Sequence, residues 1–266
     1  MPQLTRSLTA VLCCGLALTA CAPTNPYPDT TPDAPSATAP PTDPIARPRP
    51  SADPTPPPAA ASHTIYPGVV IDRQRGHLDL RGRVVGRAVD WLELLACRPG
   101  TREHEAIVTL DAEATHIQLA LILLGLEPGT PARAEIVDSQ VTVHPPQGPA
   151  VELFFVLDDQ PAVEVPANRW VIDQDAGKLM PGNRWLFVGS RSVEHAGQTW
   201  FLAEQNGTLV SLVNFGDELI GRPTLQSEDG GNVFWTANTP QIPAEGTRIT
   251  LRIRPAAAVE PGGYGP

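Results

Sequence analysis

Fourteen of the chain's 31 prolines lie between residues 22 and 62, and that stretch decides where a folded body can begin. The rest of the segment is mostly Ala, Thr, Ser and Asp, with Tyr27 and Ile45 its only large apolar side chains. Such a composition cannot bury enough apolar surface to offset the entropy of ordering, so residues 21–62 are expected to be disordered. Proline biases the segment toward extended polyproline II, and its 41 residues reach on the order of 100 Å when stretched. Folding is left to residues 63–258, with 259–266 as a loose tail. Roughly 195 residues suffice for one large domain or two small ones.

Ahead of the proline tract, Arg6 supplies a positive charge and Leu8 to Leu18 an uncharged apolar run broken by Thr9 and Gly15. The run is short of the about 20 residues a permanent span needs, and with the small residues after it has the parts of a signal peptide. Leu18-Thr19-Ala20-Cys21 is similar to the signal of bacterial lipoproteins. That likeness implies loss of residues 1–20, thioether attachment of diacylglycerol to Cys21, and acylation of the new amine by palmitate or a similar fatty acid. Several acyl chains hold durably, at about 0.8 kcal/mol per buried methylene. The alternative is an ordinary secretory signal cut at Ala20 or Ala22, with Cys21 incidental. The expected address is the bacterial cell envelope. Ala22, where an Asp would retain the protein at the inner membrane, favours the outer membrane wherever sorting of that kind operates.

A net charge of −10 argues against nucleic acid as a partner. Cys13 and Cys14 leave with the signal and Cys21 carries lipid, so Cys97 stands alone and the folded part has no internal disulfide. The remaining arginines form no cluster along the sequence that predicts a second membrane-binding patch.

Short runs rich in Val, Ile, Leu and aromatics, bounded by Gly and Pro, dominate residues 63–258. Val69–Asp72 and Leu78–Val85 read as a hairpin around Arg73-Gln74-Arg75-Gly76. Trp91–Cys97 and Ile107–Leu110 read as strands, the first of them central. The period then changes: Ile117, Ala120, Leu121 and Leu124 predict a buried helix over about 113–126, with Asp111 as its cap and Gly125 and Pro128-Gly129 ending it. Further strands are expected at 140–144, 151–157, 184–189, 199–203, 208–214, 233–237 and 248–254, and a short helix from Pro166. Gln205-Asn206-Gly207-Thr208 reads as a hairpin turn, because Asn-Gly accepts positive φ. The total predicts an α+β fold: strand-rich, mostly antiparallel sheets with one buried helix and a second short one. Trp91-Leu92 before Glu103-His104 and Trp185-Leu186 before Glu194-His195 echo each other faintly, which raises a duplicated unit with a break near 130–165.

The segment from Leu92 to Glu105, followed by His116-Ile117 and Leu121–Gly129, resembles the YdjY-like domain of bacterial exported proteins. The likeness recurs at Trp185–Ser190, Leu209–Leu219 and Ile242–Pro255, and covers most of residues 65–255. It implies a domain of unknown function, often behind an export signal. Some relatives carry a ferredoxin-like label, but this chain lacks the closely spaced cysteines a cluster needs.

Cys97, His104, Glu105 and His116 are of metal-ligand types, and the divalent ion such a set suits is zinc or a similar one. They lack a tight spacing such as His-Glu-x-x-His. Against it stands a structural reading, in which Cys97 packs in the core, His116 caps or packs, and Glu103 and Glu105 pair with Arg98 or Arg102. Asn214, Asp217 and Glu218 form a second polar cluster, a ligand loop or a capped turn, without calcium-loop spacing. No phosphate loop, nucleophile elbow or dinucleotide fingerprint assigns a catalytic or cofactor-binding residue. Two functions remain. One is a tethered domain that binds an envelope protein or cell-wall component. The other is an exported metal-binding protein using the Cys97, His104, Glu105 and His116 set.

Overall fold

The computed structural model describes residues 62–138, 140–225 and 234–257. The expected signal, Cys21, nearly all of the proline tract, Val233 and the tail 259–266 lie outside them.

Strands β1 (Ser62–Tyr66), β2 (Val69–Asp72) and β3 (His77–Val84) form an antiparallel meander, its second turn at Arg73–Gly76 as the alternation predicts. β4 (Leu94–Cys97) leads through a 3-10 turn (Glu103–Glu105) to β5 (Ala106–Leu110) and helix α1 (Ala114–Leu123). β6 (Arg133–Val137) and β7 (Gln140–His144) make a separate hairpin. β8 (Ala150–Leu157) and β9 (Glu164–Pro166) are followed by a 3-10 turn (Ala167–Trp170), β10 (Val171–Asp173) and β11 (Lys178–Leu179). Next come β12 (Arg184–Phe187), the hairpin β13 (Ser192–His195) and β14 (Gln198–Phe201), and helix α2 (Leu202–Asn206). β15 (Thr208–Ser211), β16 (Ile220–Gly221), β17 (Trp235–Ala237) and β18 (Arg248–Pro255) complete the chain.

Eight of these strands close on themselves in the order β3-β18-β8-β12-β16-β15-β4-β5, with β5 returning to β3. The α+β expectation is therefore corrected: the protein is mostly β, built on a closed barrel. Closure depends on β3, which is long enough to serve two neighbours on one edge. That edge pairs with β2 through Leu80 and with β5 from Gly82 onward, while the other edge pairs with β18. β8 forks in the same way, holding β12 and then β9. Around the ring, β4, β5 and β3 form one arc and β18, β8, β12, β16 and β15 the other, all closing a single barrel, and Glu103-His104 falls in a 3-10 turn where Glu194-His195 falls in a strand.

Two neighbouring pairs, β4–β5 and β15–β16, run parallel. Residues 98–105 and 212–219 must each cross the barrel in a very short link, where parallel neighbours usually need a dozen residues or more. These crossover loops hold most of the residues that looked functional in the sequence.

The helices differ from expectation in detail. α1 buries Ala114, Ile117, Ala120 and Leu121, but its opposite side leaves Leu119, Ile122 and Leu123 about 40 % exposed, so it is half rather than largely buried. Glu113, not Asp111, occupies its N-cap. Pro166 is followed by a 3-10 turn instead of an α-helix. Asn206-Gly207 does use positive φ, at 76° on Gly207, yet it ends α2 instead of turning a hairpin. Trp91, expected in a strand, is 71 % exposed and meets Phe234 edge to face.

The core fills the barrel. Inward residues of β3 (Leu78, Leu80), β18 (Ile249, Leu251, Ile253) and β8 (Val151, Leu153, Phe155) meet Trp185 and Phe187 of β12, and Trp170 stacks on Phe155 at 3.8 Å. β3 and β18 alternate buried and open residues, the signature of a sheet with one wet face. β4, β5 and β15 are buried at every position, because loops and helices cover their outer side. The open wall of the barrel is thus the one made by β3 and β18.

Candidate functional site

The structure does not gather Cys97, His104, Glu105 and His116 into one ligand set. Cys97 ends β4 with no exposure, and burial pushes its thiol up to about 11, with a Thr101 hydrogen bond opposing. His104 is exposed on the 3-10 turn. Glu105 pairs with Arg102. His116 stacks face to face on Tyr66 at 3.7 Å and lies 3.5 Å from Glu113. Among the described residues no three His, Cys, Asp or Glu side chains gather as a metal site requires.

What the segment does instead is fasten the crossovers. Arg102 donates to Glu93 Oε2 at 3.0 Å and to Glu105, and its guanidinium lies 4.0 Å from the centre of the Phe215 ring. Phe215 belongs to the other crossover and packs against Leu94, Cys97 and Ala106. One arginine therefore pins both short links together. Arg98 binds the Glu204 carbonyl and carboxylate at 2.6 Å, and the same carboxylate accepts from the Thr115 amide, joining the loop to both helices. Glu103 accepts from the Gly100 amide at 2.7 Å.

The second polar cluster is a capped turn. Glu218, fully buried, accepts from the Gly216 and Asp217 amides at 2.7 and 3.1 Å. Burial holds its carboxyl above the ordinary carboxylate range. Asp217 accepts from Asn206, while Ser190, itself at φ 56°, donates to the Asp217 carbonyl and accepts from the Ala203 amide.

The feature that most resembles a binding site lies on the open wall, where sequence reasoning placed nothing. β3 presents Asp79, Arg81 and Arg83 outward, and β18 presents Arg248, Thr250, Arg252 and Arg254. Antiparallel register sets Arg248 opposite Arg83, Thr250 opposite Arg81 and Arg252 opposite Asp79. Arg252 makes a two-pronged pair with Asp79 at 2.7 and 2.6 Å and reaches Glu164 of β9 at 2.7 Å. Arg254 also binds Glu164 and lies over Phe154. The Asp79 contact first, then Glu164, holds the Arg252 guanidinium charged. Burial works against the Glu164 carboxylate, but hydrogen bonds from both arginines outweigh it and keep the group below its usual range. Behind this lattice, His77 is 3.6 Å from Asp79 and buried, which lowers its pKa and keeps it neutral.

Over the same wall lies a groove of about 550 Å³. Its charged lining is Arg81, Arg248, Arg252, Asp79 and Asp158, with Pro161 and Leu157 among its apolar groups. The volume is in the range of small-ligand pockets. A signal for it existed in the even spacing that puts Arg81 and Arg83 on one face and Arg248, Arg252 and Arg254 on one face, but only the pairing of strands about 170 residues apart brings the two sets together.

A family profile for the YdjY domain matches residues 69–254, from the first residue of β2 to the penultimate residue of β18. The chain belongs to the YdjY domain family. The match spans the whole closed barrel, including both crossovers and the arginine wall, and the YdjY domain has no known function. No curated protein and no solved structure gives a significant match.

Proposed function

We propose that this YdjY-domain protein is a lipid-anchored component of the bacterial cell envelope whose barrel is a binding module held off the membrane by a proline-rich tether. The observation that carries the reading is the order of segments: Leu18-Thr19-Ala20-Cys21, then the proline tract, then a folded domain whose first strand starts at Ser62. A thiol at the processed N-terminus supplies the lipid attachment. A stiff spacer with a reach on the order of 100 Å lets the barrel meet a partner beyond the lipid headgroups. The partner is an envelope protein or a cell-wall component, and Ala22 favours the outer membrane as the anchoring surface. The wall built by β3 and β18 supports the binding reading, because it offers an open groove lined by charge. Nothing in the geometry favours the metal-binding reading: Cys97 is buried as a thiol, and His104 and His116 have unrelated surroundings.

The test is fractionation of cells producing the full chain and its Cys21→Ala variant. The intact chain should sediment with membranes and need detergent for release, and the variant should lose that attachment or remain unprocessed. Equal release of both without detergent would refute the anchor.

A further inference from the structure

We propose that the groove on the open wall of the barrel binds a multiply charged oxyanion, a phosphate- or carboxylate-bearing ligand, through Arg81 and Arg248, which line it, and Arg83, which stands opposite Arg248 on the same face. The inference rests on the reading of the barrel as a binding module and names its ligand class.

Three observations converge. The first is an electrostatic conflict built into the ladder. Arg248 stands directly across from Arg83, and Arg81 is its diagonal neighbour. Like charges directly opposite destabilise a pair of strands, where opposite charges would support it. Beyond the Thr250–Arg81 pair, the same face shows the supportive arrangement, with Arg252 opposite Asp79. The second is the lack of a counter-charge. Arg252 and Arg254 share Asp79 and Glu164, but among the described residues Arg81, Arg83 and Arg248 enter no ion pair. Asp158 also lines the groove, yet makes no ion pair with them, and Asp79 is already engaged by Arg252. The third is shape. Arg81 and Arg248 line a concavity of about 550 Å³ together with the Thr250 hydroxyl, so a ligand can sit among the guanidiniums instead of on a flat surface. This runs against a chain whose net charge is −10.

The chemistry selects the ligand. Guanidinium forks match carboxylate and phosphate oxygens in pairs and stay charged at any physiological pH. Three of them, with Cβ separations of about 5–8 Å on adjacent strands, suit one phosphate group or two neighbouring carboxylates. The rigid lattice of Arg252, Asp79, Glu164 and Arg254 beside them holds the wall in place before the ligand arrives.

The experiment uses the full chain in neutral detergent, with thermal unfolding and calorimetric titration read against inorganic pyrophosphate and against citrate, ionic strength matched with sodium chloride. Saturable binding of at least one anion is expected, and the better of the two identifies phosphate or carboxylate as the ligand group. Arg81→Gln, Arg83→Gln and Arg248→Gln should each weaken it by about tenfold, the worth of a charge-assisted hydrogen bond, and the triple variant should not bind. Without anion, Arg83→Gln should unfold at a higher temperature than the parent, because it removes the opposed charge; arginines with a merely structural role would give the opposite sign. Arg191→Gln, outside the groove, is the control and should bind as the parent does. Failure of both anions to bind, or unchanged binding by the triple variant, overturns the proposal. The Cys21→Ala fractionation reads the anchor independently, so a chain that stays membrane-bound while binding no anion loses this inference and keeps its attachment.

Discussion

Replacing Gly82 with alanine tests barrel closure at its seam. A Cβ on Gly82 would lie 2.1 Å from the Thr109 carbonyl oxygen and 3.0 Å from Leu110 Cδ2. Gly82 has no positive φ, so the cost is one of space and not of backbone conformation. The obstruction is backbone and cannot rotate away. Relief requires β5 to move from β3 by roughly an ångström, toward ordinary contact distance. The seam joins Gly82 to Leu110, Arg83 to Thr109 and Val84 to Val108, with flanking bonds from Val85 to Ile107 and from Asp111 to Arg81, both 2.8 Å. Overpacking costs about 1–3 kcal/mol, and each hydrogen bond lengthened out of range loses about 1 kcal/mol. Gly82→Ala should therefore cost about 2–4 kcal/mol, a large part of the about 5–15 kcal/mol a domain has. Urea unfolding gives the difference, and hydrogen exchange should show faster amides in 82–85 and 107–111 while β18 and β8 stay protected. Gly76→Ala, in the turn before β3 at φ 66° with open space around it, should cost only about 1–2 kcal/mol. A Gly82→Ala variant within 0.5 kcal/mol of the parent, roughly the ordinary spread for surface changes, would refute the closed seam.

Three further outcomes follow from the crossovers. Arg102→Ala should destabilise the protein by about 2–3 kcal/mol, since it removes the arginine from the partly buried Glu105 carboxylate, loses the bond to Glu93 and uncovers Phe215, and chemical unfolding measures it. The Cys97 thiol, held near 11, should resist a thiol reagent at pH 8 in the folded chain and react once the chain is unfolded in urea. Glu218→Gln should gain about 1–3 kcal/mol at neutral pH, because the amide oxygen can accept the same two backbone bonds without a buried charge. The sign with pH follows from a folded pKa raised above the ordinary 4.5: the burial penalty is absent below that value and grows as pH rises toward the folded pKa. The stability gap between variant and parent should thus widen from acid to neutral pH, and a gap that narrows would contradict it.

Local patterns made much of the strand set legible. The turn at Arg73–Gly76, β8 and β18 all fall where alternation of apolar residues places them. Closure was not legible, because it is a property of pairing. β3 meets β18 across a separation of about 170 residues, and nothing local to either strand states which edge the other will take. Asn206-Gly207 carried the right backbone signal, positive φ, but that signal serves a helix end as well as a hairpin turn. For the site, residue type and pattern pointed to different roles. Trp91–Cys97 reads as an apolar run, and although Trp91 itself is exposed, the strand from Leu94 is buried at every position, which makes the Cys97 thiol a core group. The arginine wall needed the register itself: each strand alone carries an unremarkable alternation of charge, and only their alignment sets Arg83 against Arg248.

Attachment of the barrel through a lipidated N-terminus is read most directly by the intact mass of the detergent-extracted protein. The predicted spectrum is a chain starting at Cys21 with the added mass of a diacylglyceryl group and an amide-linked acyl chain. A chain that starts elsewhere, or a Cys21 terminus without acyl mass, would contradict it.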